Sequence, residues 1–306
     1  MDAFDHRFLR EFAVVAQEGS IRRASERLNV VTSSISRKIS DAEIRLGVKL
    51  FERHSQGMLL TEAGKLLLDH ANHLHNEQDY VRELIGQYRN DTRRVIRLGV
   101  GEGFAADLMQ NGLAALMSTN PNLRYQITTA GTDRLVELVI QDQVDIALAY
   151  NPILLPGTRS LAIGRQPLCA IVPVSSSLIG RSRLWLADVL EQPLALLNES
   201  HGIHQLLARA ASDHGLSLHP VVETESIALL IRFVSAGLGV TFLPRFSATI
   251  QEARGELKIL DVDEPLLLSA SAHAIVRARR RLPRSVDAVA TLLAARMSAF
   301  SPAALP

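Results

Sequence analysis

The sequence predicts a chain of two unlike parts, a small helical region followed by an α/β domain. Three patterns carry this. Residues 1–60 place apolar residues at helical spacing between turn signals, and residues 61–90 hold a narrow apolar seam along one long polar segment. From about Arg94 onward, short β-like runs alternate with helical segments, which argues for α/β layers around a largely parallel sheet. At 306 residues the chain is long for one core, and 47% hydrophobic content suits a globular fold. No apolar run reaches the ~18–20 residues that span a bilayer. No signal-like stretch opens the chain, and the single Cys169 suits a reducing compartment, so no membrane partner and a cytoplasmic location are expected.

In the first region Leu9, Phe12, Ala13 and Ala16 share one helix face, Gly19 ends that helix, and Ser20 is placed to cap the next. Ile21, Ala24 and Leu28 line the second helix, and Asn29-Val30 makes a tight turn. Ile35, Ile39, Ala42 and Leu46 then define the buried stripe of a third helix, whose opposite stripe carries Thr32, Ser33, Ser36, Arg37 and Ser40. Short hydroxyls and an arginine at a helix start suit groove readout, since they bond phosphates or base edges without bulk. Leu50–Arg53 and Met58–Leu60 flank a polar, glycine-containing turn, which predicts a β-hairpin wing with Arg53, His54 and Gln56 able to reach sugar-phosphate. Helix spacing alone also allows a generic three-helix packing domain with a solvated Ser/Arg face. Charge does not decide between them: residues 1–65 hold eleven Lys/Arg against nine Asp/Glu.

Ala63, Leu67, Ala71, Leu74, Gln78, Val81, Ile85 and Tyr88 alternate at spacings of four and three, an a/d seam over more than three heptads. A helix of ~28 residues spans ~42 Å and needs a packing partner. The same helix of a second subunit is the expected one, with packing on its own chain as the alternative. His70, His73 and His75 lack a fourth donor at tetrahedral spacing and are read as a solvated face. The 91–94 stretch, Asp-Thr-Arg-Arg, is the expected hinge.

Beyond it, Val95–Val100, Tyr125–Thr129, Val144–Tyr150, Leu168–Val174, Leu194–Leu197 and Gly239–Leu243 read as strands. The first ends in Gly99-Val100-Gly101-Glu102-Gly103-Phe104, where glycines let a ligand approach the backbone, although the third comes one residue early for a dinucleotide loop. Further strand-to-helix junctions are Thr128–Asp133, Asn198–Gly202 and Thr224–Ser226. Converging helix N-termini with hydroxyl side chains suit a small polar or anionic molecule, while each hydroxyl could equally cap its own helix. Cys169 sits in an apolar run as a core residue. Arg277, Arg279, Arg280, Arg281 and Arg284 form a dense basic run, read as a solvated edge. With no nucleophile–base pair, metal cluster or cofactor fingerprint, no catalytic residue, metal or cofactor is expected.

The run Gly19–Val30 followed by Ser34-Ile35-Ser36-Arg37 closely resembles the helix-turn-helix of LysR-type transcriptional regulators, as do Leu46–Arg53 and Leu60-Thr61-Glu62-Ala63-Gly64. The resemblance implies a winged helix-turn-helix at 1–60, a linker and dimerisation helix at 61–90, and an effector-binding domain at 94–306. It places Thr32, Ser33, Ser36, Arg37 and Lys38 at positions that contact double-stranded DNA, with Arg53 at the wing. Ser25 replaces the family's second alanine, Ala42 its leucine, and Val31 its capping hydroxyl, so capping is expected to shift to Thr32. Val144–Ala149 and Val234–Val240 are similar to motifs of the family's effector domain, which has the fold of type 2 periplasmic binding proteins. That implies one subdomain over about 94–167 and 268–300, a second over 168–267, and an effector of unknown identity between them. By position Gly101, Gly103, Phe104, Thr129, Thr132, Asn198, Ser200, His201 and Ser226 would line the cleft, with Tyr150 reaching it. The implied assembly is a homodimer through 61–90 and, beyond it, a homotetramer. An enzyme, a solute-binding protein and a regulator with an unresponsive cleft are the competing readings.

Overall fold

The computed structural model describes residues 5–54, 57–86, 95–278 and 282–301. They divide into two compact units, an N-terminal one ending near Thr92 and a C-terminal one beginning at Arg93. The expectations for the 91–94 hinge, Tyr88, Gln56, Arg279, Arg280 and Arg281, and for the side chains of Arg53 and His54, lie outside the described residues.

The first unit contains helices α1 (His6–Glu18), α2 (Ile21–Leu28) and α3 (Thr32–Leu46), the antiparallel hairpin β1 (Phe51–His54) and β2 (Gly57–Leu60), and α4 (Glu62–Gly86). Local chemistry sets the breaks. Gly19 closes α1 in the left-handed region, Ser20 caps α2 by accepting from the Arg23 amide, and Asn29 closes α2 at φ 53°. Phe8, Leu9, Phe12 and Val15 of α1 meet Ala24, Ile35, Ile39 and Ala42 in one core. Leu50 and Phe51 extend it, with the Phe12 and Phe51 rings 5.0 Å apart.

The second unit is mixed rather than largely parallel. Its five-stranded sheet runs in the order β4-β3-β5-β12-β6, using β3 (Val95–Val100), β4 (Arg124–Thr129), β5 (Ile146–Tyr150), β6 (Thr158–Arg165) and β12 (Ser271–Arg277). β3 pairs parallel with β4 and β5, whereas β12 runs antiparallel between β5 and β6. Helices α5 (Ala105–Asp107) and α6 (Ala114–Thr119) flank a π-helical segment, Leu108–Leu113, and α7 (Thr132–Ile140) packs Leu135, Val136 and Val139 against Ala147 and Ala149. Asp145 ties β3 to β5, accepting from the Arg97 backbone N–H at 2.9 Å and its guanidinium at 2.9 Å.

Between β6 and β12 the chain builds a second layer set. Strands β7 (Leu168–Val172), β10 (Thr241–Pro244) and β11 (Lys258–Leu260) form an antiparallel sheet in the order β10-β7-β11. β8 (Leu194–Leu197) and β9 (Pro220–Thr224) pair in parallel, and a Leu194–Val240 bridge connects the two sheets. Its helices are α8 (Leu186–Leu190), α9 (Gly202–Asp213), α10 (Ile227–Ser235), α11 (Thr249–Ala253) and α12 (Pro265–Leu268), and α13 (Arg284–Arg296) follows β12. The two crossovers lie side by side, the Gln166 amide donating to Ala270 O at 2.8 Å and its side chain to Ser298 O at 2.9 Å.

Candidate nucleic-acid interface and effector cleft

The α3 stripe divides as its spacing requires. Ile35, Ile39 and Ala42 are buried; Thr32, Ser33 and Arg37 are exposed and Ser36 is half-buried. Val31 occupies the cap position with extended backbone and offers no side-chain acceptor. Capping does not shift to Thr32, which is the first helical residue and whose hydroxyl lies 2.9 Å from that of Ser25. Ser25 also donates to Arg22 O at 2.8 Å, so Thr32 supplies the proton between the hydroxyls and keeps its lone pairs for outside donors. The serine that departs from the family's alanine thus fixes the first side chain of α3. Arg37 has no ion-pair partner among the described residues.

Lys38 is engaged within the protein. Its ammonium lies 2.6 and 2.7 Å from the two oxygens of buried Glu11, and its side chain is 18% exposed. Lys38 therefore neutralises a carboxylate in the α1–α3 interface, and its charge is already engaged. Glu43 does comparable work at the base of the wing. It accepts from the Leu50 and Phe51 amides at 2.9 and 3.3 Å and from Lys49 Nζ at 2.6 Å. Burial raises its pKa, but the Lys49 bond and the two amide bonds outweigh that and leave it lowered.

The α4 seam serves two environments. Ala63, Leu67, Ala71 and Leu74 pack into the core of their own unit, so the first half follows the alternative of intrachain packing. Val81 and Ile85 farther along are exposed. Leu66, also exposed, joins Leu46, Val48 and Leu50 in an apolar groove that His70 and His73 flank.

In the second unit, the ends of β3 and β5 and the starts of α9 and α10 line a narrow cleft. Of the ten residues expected there, Gly101, Gly103, Phe104, Thr132, Tyr150 and His201 line it. Thr129, Asn198, Ser200 and Ser226 do not. Thr129 ends an exposed strand. Asn198 accepts from the Ser200 hydroxyl at 2.7 Å and donates to Glu225 at 2.9 Å, which holds all three together in a solvent-exposed cluster. Ser226 caps α10, accepting from the Leu229 amide.

Sequence reasoning missed Glu102, Ala130, Leu197, Ile227 and Phe246, which complete the lining with others. Glu102 was readable, since it lies between the two glycines singled out; the apolar residues look like ordinary core. Several lining groups are engaged by the protein. Thr132 Oγ1 donates to Tyr150 O at 3.4 Å and accepts from the Gly202 amide at 3.1 Å. Tyr150 donates its hydroxyl to Gln166 O at 2.8 Å, and burial pushes its pKa well up, so it stays neutral. Burial lowers the His201 pKa against the opposing charges of Glu102 and Glu225, favouring the neutral ring near pH 7. The Phe104 and Phe246 rings meet at a tilt with centroids 5.0 Å apart, Gln205 donates to Asp133 at 2.8 Å, and Ser247 to Gly103 O at 3.2 Å, so residues of the β7–β11 segment clasp those of the five-stranded sheet layer around the cleft. Cys169 is fully buried with its thiol 3.3 Å from Asp261; burial and that carboxylate push its pKa up to about 12, far from a reactive thiolate.

The chain thus joins a helix-turn-helix unit with a hairpin wing to an α/β unit that carries a cleft. Residues 6–65 match the model of the bacterial regulatory helix-turn-helix protein, lysR family, and residues 89–298 match that of the LysR substrate binding domain. The chain belongs to the LysR family and is a LysR-type transcriptional regulator. It is 29% identical over 252 residues to the HTH-type transcriptional regulator YofA of Bacillus subtilis (strain 168), covering 80% of this chain and 83% of that one. A full-length OxyR variant from Pseudomonas aeruginosa shares the fold with a TM-score of 0.76 at 22% identity, covering 99% of each chain. Full-length CbnR complexed with its target DNA gives 0.53 at 19% identity, covering 94% of this chain and 98% of that one. No helix among the described residues is long and apolar enough to cross a membrane.

Proposed function

We propose that this regulator binds an operator of two half-sites as a homodimer, with Thr32, Ser33, Ser36 and Arg37 of α3 reading DNA and Arg53 of the wing gripping the backbone. The observation that carries this reading is the α3 face, polar and free opposite a buried Ile35/Ile39/Ala42 stripe. The uncapped first turn leaves N–H groups for a phosphate. Lys38 acts by positioning α3 on α1. The exposed half of the α4 seam and the apolar groove beside Leu66 support a dimer through 61–90, and a dimer supplies the second reading head that a weakly basic domain needs. A small polar effector in the clasped cleft shifts the angle between subdomains, and through it the spacing of the paired heads.

The test is selection of duplexes from a random DNA pool, followed by anisotropy titration of the enriched sequence at two salt concentrations. Binding weakens steeply with salt, and Arg37→Ala costs about 1–3 kcal/mol while the sedimenting species stays the same. Failure to enrich any sequence, or salt-insensitive binding, refutes the reading.

A further inference from the structure

We propose that the cleft takes a molecule bearing an ammonium or comparable cationic donor, held by Glu102, with an apolar body against Phe104, Phe246 and Ile227. The inference rests on the effector-cleft reading above. Three observations support it. Glu102 lines the cleft, and its Oε2 is buried with no hydrogen-bond partner among the described residues. A carboxylate oxygen withdrawn from water without a donor is unfavourable, and a ligand donor placed there removes that cost.

The second observation is the composition of the wall. The lining contains no lysine or arginine, and its one imidazole, His201, is half-buried and neutral near pH 7, so nothing in the protein supplies the missing positive charge. An anionic effector, the alternative left open by the sequence, would meet Glu102 with like charge. The third is that the hydroxyls of the wall are occupied. Thr132 bonds Tyr150 O and the Gly202 amide, and the Tyr150 hydroxyl bonds Gln166 O, which leaves Glu102 as the charged anchor beside the neutral His201 ring. The remaining surface is apolar, from Phe104, Leu197, Ile203, Ile227 and Phe246. A cationic head on a compact hydrocarbon frame matches both halves of the wall.

The test uses the full chain and three isosteric probes, benzylammonium, benzyl alcohol and benzoate, at one ionic strength, with the thermal unfolding midpoint as readout. Benzylammonium raises the midpoint in a concentration-dependent way, benzyl alcohol less, and benzoate not at all. In Glu102→Gln the apparent affinity for benzylammonium falls at least about tenfold, while the ligand-free midpoint stays level or rises because an unpaired carboxylate has gone. Ala130→Leu, which fills the cleft, abolishes the response. A benzoate response equal to that of benzylammonium, no response to benzylammonium, or a lower ligand-free midpoint in Glu102→Gln overturns the proposal. A benzylammonium response kept in Glu102→Gln but lost in Ala130→Leu overturns the role of Glu102 and leaves the cleft in place. One kept in both variants sinks the effector-cleft reading as well.

Discussion

Glu43 accepts two backbone N–H bonds and the Lys49 ammonium, so one carboxylate ties α3 to the first wing strand. Its folded pKa is lowered, so its contribution to stability is complete above the ordinary carboxylate value and disappears as pH falls through the folded one. Glu43→Ala should destabilise the N-terminal unit by about 1–3 kcal/mol at neutral pH, chiefly by orphaning the Leu50 and Phe51 amides. Urea unfolding at pH 7 and again below pH 4 checks this, and the gap between variant and parent should shrink in acid. The residue scale is also where the sequence is least legible. Arg37, Thr32 and Ser33 can be placed from the stripe opposite Ile35 and Ile39. The pairing of Lys38 with Glu11 cannot, because the two are 27 positions apart and meet only when α1 crosses α3. Ser226 and Asn198 carry the right atoms for a ligand, but an atom's partner is a tertiary fact, and theirs are a helix end and Glu225.

At the scale of elements, the run Leu60–Gly64 is a joint. Thr61 donates its hydroxyl to Lys49 O at 2.6 Å and accepts from the Gly64 amide at 3.0 Å, so it caps α4 and binds that helix to the wing. Gly64 then passes so close to the Leu50 carbonyl that any Cβ would collide with it. Gly64→Ala should cost on the order of 1–3 kcal/mol through displacement of α4 from the wing. Differential scanning calorimetry of the full chain reads it as an earlier first transition, and an unchanged thermogram would show that the joint yields freely. Elements with strong periodicity are readable to within a residue or two, as with β3. β6, β9 and β11 are not, because edge or half-exposed strands carry a weak period-two signal, and neither is the largely buried β12. The antiparallel placement of β12 between β5 and β6 has no local signature at all, which is why the alternation of elements alone predicts a largely parallel sheet.

For the whole molecule, the clasp across the cleft sets how freely the subdomains part. The Gly202 amide on Thr132, Gln205 on Asp133 and Ser247 on Gly103 O are its polar links, beside the tilted Phe104–Phe246 ring pair. Thr132→Val keeps the shape and removes the acceptor, leaving the Gly202 amide unpaired. Hydrogen exchange at Gly202 should accelerate by roughly tenfold, for a loss of about 1–1.5 kcal/mol in local opening free energy. Unchanged exchange would mean that the remaining polar links and the ring contact hold the cleft shut without Thr132. A looser clasp should also lower the affinity of any ligand that binds the closed form, since the competent state becomes less populated.

The position of β12 has a consequence for how the chain is made. Residues 271–277 fill the slot between β5 and β6, yet they leave the ribosome about a hundred residues after β6 does. Until then β6 has no partner strand and the β4-β3-β5 sheet ends at an open β5 edge, while the intervening subdomain already has all its strands. The nascent chain must therefore shelter an open sheet through roughly a third of its synthesis. The inserted subdomain, by holding Gln166 beside Ala270, brings the late strand to the gap it closes.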